Sequence, residues 1–277
     1  MLLTSVLLGS QFPASKLVVD SVGPFSLTAL RTSIGAVLAI GAITTQSRFD
    51  LRAFRSVSGL ALGGFLALVY ALLNLGVQHT TASKAALFVN VSVVYVAIFM
   101  FVFFRERMTR LKAIGVVLSL LGVVILTTRL DPNFLASGEL IGDLLVFLSG
   151  LCWAVFVVLA KPVVDRGEVD DWNIVGSALT TAAVLSIIPL FFVPWSVPSS
   201  SSAWGAVLYL GLVPTFFPLL SFIYSLRTVS PTVSALMILP AVLVAAFLSF
   251  VLLADPVGVP TLLGAGLVLG GAFVVAR

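Results

Sequence analysis

The chain reads as an all-α integral membrane protein, with ten transmembrane helices arranged as two inverted five-helix repeats, and three observations predict this. Of its 277 residues, 60% are hydrophobic and only 9% charged, with a mean hydropathy of +1.20. That is more apolar surface than a soluble domain of this size buries. The apolar residues also fall into ten runs of roughly 20, the length that crosses a hydrocarbon layer about 30 Å thick. Finally, a hexapeptide recurs: SKLVVD at 15–20 and AKPVVD at 160–165, 145 positions apart.

The first run, 2–20, has no basic leader and no small-residue cleavage site at its far end, so it is expected to span rather than to act as a signal peptide. VGP at 22–24 turns the chain into the second run, 24–45, and the basic loop SRFDLRAFRS at 47–56 leads to the third, 57–78. The fourth, 82–104, ends at RERMTR (105–110), and the fifth is 111–128. RLDPN at 129–133 opens a linker, 129–138, between a first half, 1–128, and a second half, 139–277. In the second half, runs at 140–161, 173–194, 204–226, 231–253 and 259–276 are separated by DRGEVDD (165–171), VPSSSS (197–202), a short break at 227–230 and DPVGVP (255–260). No connection is long enough to form a soluble domain.

Basic residues orient the bundle. With the N-terminus cytoplasmic, inside segments hold Arg48, Arg52, Arg55, Arg105, Arg107, Arg110, Lys112, Lys161, Arg166, Arg227 and Arg277, and outside segments hold Lys84 and Arg129. Eleven against two puts both termini in the cytoplasm, in a plasma (inner) membrane. The hexapeptides close helices 1 and 6. Later positions correspond at a spacing of 149: Ala86-Leu87 with Ala235-Leu236, Glu106 with Asp255, Gly115 with Gly264, and Gly122 with Gly271. Because five is odd, the second copy enters the membrane from the opposite side. Inverted repeats of this kind are a common plan for carriers with a midplane binding site between the halves.

Polar side chains near the middle of spans are Gln11, Tyr70, Asn74, Asn90, Ser92, Tyr95 and Trp153. An amide facing lipid would leave donors and acceptors unpaired, so these groups either line a wet cavity or bond between helices. Gln11, Tyr70, Asn90, Tyr95 and Trp153 are the candidate substrate-binding set. Arg31 lies seven residues into helix 2, where a charge must pair, face water or snorkel. It either attracts an anionic substrate group or reaches the outer headgroups. Lys16 and Lys161, about one turn from their helix ends, either gate the two faces or anchor at the interface. Glu106 and Asp255 sit where a carboxylate favours the N-terminus of the next helix. The glycine pairs Gly59/Gly63 and Gly266/Gly270 permit close helix approach within the monomer, and Pro214, Pro218 and Pro240 are placed to kink helices 8 and 9.

Gly9-Ser10-Gln11-Phe12 with Lys16, Trp153 and Phe156 with Lys161, LTALRTSIGA around Arg31, TTASKAAL at 80–87, RERMTR and SPTVSALM at 230–237 together resemble the EamA-type transporters of the drug/metabolite transporter superfamily. The resemblance covers essentially the whole chain. It implies ten helices, two EamA repeats, and movement of small organic solutes such as amino acids and other metabolites. Leu8 stands where that family often has Trp, and Arg105 where Gly is usual before Glu106.

Other function classes fit poorly. Dispersed basic residues give no nucleic-acid face. The single Cys152 and single His79 offer no metal site and no catalytic dyad, so neither cofactor nor metal is expected, nor is enzymatic activity. Asp170-Asp171 lacks an accompanying phosphate loop. The remaining alternatives are a passive channel and a lipid-carrier flippase. The expected partners are a small-molecule substrate and the lipid bilayer, with the protein a monomer or weak dimer. None of the 11 acidic residues reaches the middle of a span, so transport driven by the substrate's own gradient is expected rather than proton coupling.

Overall fold

The computed structural model describes residues 2–46, 49–105, 109–128, 130, 140–254 and 258–275. All regular structure among them is helical. The first half holds α1 (Leu2–Val22), α2 (Pro24–Thr45), the short α3 (Leu51–Arg55), α4 (Val57–His79), α5 (Ala82–Asn90), α6 (Ser92–Phe104) and α7 (Arg110–Thr128). The second half holds α8 (Leu140–Arg166), α9 (Asp171–Ile187), α10 (Ser201–Gly211), α11 (Phe217–Thr228), α12 (Pro231–Leu236), α13 (Ala241–Leu253) and α14 (Val259–Val275). Glu106 and Asp255, and all of the linker except Leu130, lie outside the described residues.

Eight helical stretches among the described residues are long and apolar enough to cross a membrane, with α5–α6, α10–α11 and α12–α13 each forming one stretch. The other two expected spans correspond to α7 and α14, of 19 and 17 residues, which pack along each other. Large apolar side chains point outward along the bundle, among them Phe101, Phe103, Phe191, Phe192, Phe247 and Phe273. The interior is built from smaller groups with selected aromatics: Ala82, Ala85, Ala86, Ala154, Ala160, Ala178 and Ala182 are shut away together with Phe12, Phe156 and Phe222. This inversion of side-chain size suits a bundle in lipid, where close helix approach rather than water exclusion gives cohesion.

Local chemistry accounts for the boundaries. Gly23 between α1 and α2 has φ +79°, a left-handed conformation that glycine adopts without steric cost, and Pro24 then starts α2 where a missing N–H is harmless. Ser56, Thr81, Ser200 and Ser230 cap α4, α5, α10 and α12 by accepting a backbone N–H three residues on. The C-caps of α6 and α13, Arg105 and Ala254, are both left-handed at φ 52° and 56° without being glycine.

Three expected spans are interrupted. The fourth breaks at Val91, between α5 and α6. The ninth breaks at 237–240, because Pro240 has no N–H; Ile238 and Leu239 donate instead to Ala235 and Leu236, and Ala241 and Val242 continue this tighter winding. The eighth widens into a π turn at Leu212–Phe216. There Pro214 cannot donate to Leu210, and the Thr215 hydroxyl takes that carbonyl at 2.7 Å. The basic segment at 47–56 contains α3, capped by Asp50.

The glycine expectation needs correction at one of its two sites. Gly59 and Gly63 of α4 do pack closely, the first against Ala53 and Ser177, the second against Ala178 and Thr181 of α9. A Cβ added to Gly266 or Gly270 of α14 would meet nothing within 4 Å among the described residues, and it is Gly271 that lies against Gly115 and Ser119 of α7. A helix presents each face only every third or fourth residue, so a one-residue offset moves the contact face by about 100°.

Candidate functional site

A cavity lies at the centre of the bundle. Leu8, Gln11 and Phe12 of α1, Val69, Tyr70 and Leu73 of α4, Val89 and Asn90 of α5 and Ser92 of α6 line it from the first half of the chain; Trp153 of α8, Pro214 of the π turn, Pro218 and Leu219 of α11, Ala235 of α12, Ile238 and Ala241 line it from the second. All three helix interruptions therefore border it. The space open to the centres of water molecules is ≈ 60 Å³, room for a few waters.

Four of the five candidate binding residues meet here: Gln11, Tyr70, Asn90 and Trp153. Trp153 stacks on Phe156 (centroids 5.2 Å apart, 12° between planes) and tilts against Phe222 at 5.1 Å, which holds its indole as one wall. The Asn90 amide nitrogen donates to the Ala86 carbonyl one turn back. Tyr95 is elsewhere: it is not among the cavity residues, and its ring meets Phe147 edge-on at 5.5 Å. Ser92 does line the cavity, while Asn74 donates to the Thr28 hydroxyl at 2.9 Å.

Arg31 does not snorkel to the headgroups. It is fully buried, its Nη2 donates to Gln11 Oε1 at 3.0 Å, and Nε and Nη2 donate to Thr215 Oγ1 at 3.2 and 3.1 Å. Its guanidinium carbon lies 4.1 Å from the Tyr70 ring centroid, a cation–π contact. Its Nη1 is buried with no partner. The Thr215 hydroxyl, donating to the Leu210 carbonyl and accepting from Arg31, thus ties α2 to the stretch bearing Pro214. Residue type alone did not single out Thr215; the adjacent Pro214 was the available signal. Ser10 with Tyr209 (2.6 Å) and Thr4 with Ser221 (2.7 Å) likewise join α1 to α10 and α11. Ser5 donates to the Met237 carbonyl at the break before α13.

Polar contacts also close both ends of the bundle. At one end Lys16 Nζ donates to the Val77 and Gln78 carbonyls at 3.0 and 3.2 Å. There too Asp143, buried at the start of α8, bonds Thr80 and approaches Lys84 at 3.9 Å, and Ser196 N donates to Ser26 at 3.1 Å. At the other end Lys161 Nζ donates to the Leu226 carbonyl at 3.0 Å and pairs with Asp165 at 2.7 Å. Arg227 pairs with Asp171 at 2.8 Å, and Asp50 N donates to Asn173 at 3.0 Å. Both lysines thus hold the C-terminal carbonyls of a neighbouring helix, where a cation meets the negative end of the helix dipole.

The sequence model of the EamA-like transporter family matches residues 1–128 and 140–277. An uncharacterized transporter of Archaeoglobus fulgidus is 28% identical over 279 residues, covering 99% of this chain and 96% of the relative. The uncharacterized transporter YyaM of Bacillus subtilis is 24% identical, covering 98% and 90%. A solved crystal structure at 23% identity superposes with a TM-score of 0.78 over 98% of this chain and 92% of its own, a likeness of fold. Apolar helices of spanning length and a family match running through both halves lead to one conclusion: the chain is an integral membrane protein and belongs to the EamA-like transporter family.

Proposed function

We propose that the protein is a secondary carrier that moves a small organic solute, such as an amino acid or related metabolite, by alternating access through the central cavity. The observation that carries this reading is the cavity itself, bordered by helices of both halves and by all three helix interruptions, with polar closures at each end. A continuous helix has no free backbone groups and resists bending, whereas an interrupted one can hinge and offer polar atoms at mid-depth.

On this reading, ten membrane helices form two inverted five-helix halves, 1–128 and 139–277, joined by 129–138. Support comes from matched features: Lys16 and Lys161 hold helix ends at opposite ends of the bundle, and the left-handed caps Arg105 and Ala254 are 149 positions apart. Both termini are cytoplasmic, in the plasma (inner) membrane, and the carrier acts as a monomer or weakly associating dimer. Gln11, Tyr70, Asn90 and Trp153 contact the solute, and Lys16, Arg31 and Lys161 hold the gates and their hinge. No cofactor takes part, and the solute's own gradient drives transport or exchange.

The test is counterflow in proteoliposomes. Purified protein loaded inside with unlabelled amino acids should accumulate labelled members of the set, and Gln11→Ala, Asn90→Ala and Trp153→Ala should each slow it more than they lower folded yield. Flux that is normal in all three would remove the cavity from the mechanism. An absence of counterflow for every solute in a metabolite panel would remove the carrier reading.

A further inference from the structure

We infer that the cavity selects its solute by charge: the permeant species carries a carboxylate, drawn to the Gln11 side by the field of Arg31, and a hydrogen-bond donor that meets Asn90. This rests on the carrier reading above and narrows it to carboxylate-bearing solutes.

The inference begins with an unbalanced charge. A guanidinium removed from water loses hydration that only an opposite charge, or a full set of acceptors, restores. Arg31 is fully buried, and none of the ion pairs among the described residues includes it. The buried carboxylates Asp143 and Asp171 are engaged at the two bundle ends, with Lys84 and Arg227. Neutral oxygens of Gln11 and Thr215 and the face of Tyr70 solvate part of the guanidinium, and Nη1 is left without a partner. Among the described residues, the interior therefore carries one positive charge with no carboxylate to compensate it. Two of the groups touching that charge, Gln11 and Tyr70, are cavity walls.

The charge also orients the wall. Arginine only donates, so Gln11 must turn its Oε1 toward Nη2, as it does at 3.0 Å. Its NH₂ group, with no protein acceptor among the described residues, is then the donor offered to the cavity. At Asn90 the assignment is reversed. The amide nitrogen is spent on the Ala86 carbonyl, and Oδ1 remains as an acceptor. The Gln11 amide thus donates under a positive field, the Asn90 amide accepts, and the Trp153 indole rests against Phe156 and Phe222. A carboxylate at the first, an ammonium, hydroxyl or amide N–H at the second and an apolar body on Trp153 satisfy all three. A monovalent amine would place a like charge near Arg31 and gain nothing there.

The experiment uses matched probe sets that differ only in charge: L-phenylalanine, 3-phenylpropanoate and phenethylamine, and L-leucine, 4-methylpentanoate and isopentylamine. Binding is read by thermal shift and calorimetric titration of the purified full chain in detergent, so that passive membrane permeation does not enter. The amino acid and the carboxylate of at least one set should bind on the order of tenfold or more tightly than the amine. Arg31→Lys should keep that order, and Arg31→Gln should abolish or reverse it, an effect that a purely structural role would not produce. If Arg31→Gln does not fold, the wild-type order still decides. Amines binding as well as their acids would overturn charge selection while leaving the small-solute reading in place. Binding by no member of either set would overturn charge selection as well, and the counterflow panel separately decides the carrier reading.

Discussion

The two ends of the bundle carry two versions of one hexapeptide, SKLVVD and AKPVVD, and use them differently. At both, a lysine four residues before an aspartate holds the carbonyls that end a neighbouring helix. Lys161 also pairs with Asp165 at 2.7 Å, whereas Lys16 has no carboxylate within 4 Å among the described residues, and Asp20 is exposed. Lys16 instead grips two carbonyls, Val77 and Gln78, where Lys161 grips one. The retained contact is the helix-end cap and the dispensable one is the ion pair. With its Asp165 partner 54% exposed, that pair sits in high dielectric and contributes little beyond the cap. The carboxylate that strengthens the Lys16 end comes from outside the repeat: Asp143, buried between Thr80 and Lys84.

The largest expected break in this comparison is Lys16→Met. It removes two charge-assisted bonds to helix-end carbonyls and should lower stability by about 2–4 kcal/mol, against about 1–2 kcal/mol for Lys161→Met. Thermal melting of the two variants in the same detergent measures the gap, and equal losses would mean that the second carbonyl of Lys16 adds nothing. Intermediate effects are expected at the left-handed caps. Arg105→Gly and Ala254→Gly should each raise stability by about 1 kcal/mol, because glycine relieves the steric cost of positive φ. Unfolding midpoints of both should rise; a rise in one only would make the caps unequal in the way the lysines are. The smallest effect is Asp165→Asn, expected to change stability by less than about 0.5 kcal/mol and to lose even that in high salt. A loss as large as that of Lys161→Met would return the ion pair to the centre of the comparison.

Much of this was legible in the sequence, and the failures have physical reasons. Gln11, Tyr70, Asn90 and Trp153 were singled out by depth alone and line the cavity, because lipid penalises an exposed amide or indole N–H wherever the chain places it. Tyr95 met the same criterion and packs on Phe147 instead, since depth says nothing about which way around the helix a residue points. The interruption at 237–240 was signalled by Pro240 and the π turn by Pro214, both residues that cannot donate. The break at Val91 has no such marker. The offset from Gly270 to Gly271 was equally invisible, because a contact face depends on the neighbour that is met.

By itself, the sequence determined the quantities that each segment carries alone: the length and apolarity of the runs, where Gly, Pro, Ser and Thr start and stop them, and the recurrence of SKLVVD as AKPVVD. These follow from local rules, since in lipid a helix closes its own backbone hydrogen bonds. Tertiary structure decided what became of the charge inside a span. Arg31 had length enough to reach the headgroups. It turned inward because Thr215, 184 positions away, gives its proton to the carbonyl that Pro214 leaves unpaired and its oxygen to the guanidinium, and because Gln11 and Tyr70 solvate the cation. No local rule joins residues so far apart, because the energy of a buried charge belongs to the groups assembled around it and not to the segment that bears it.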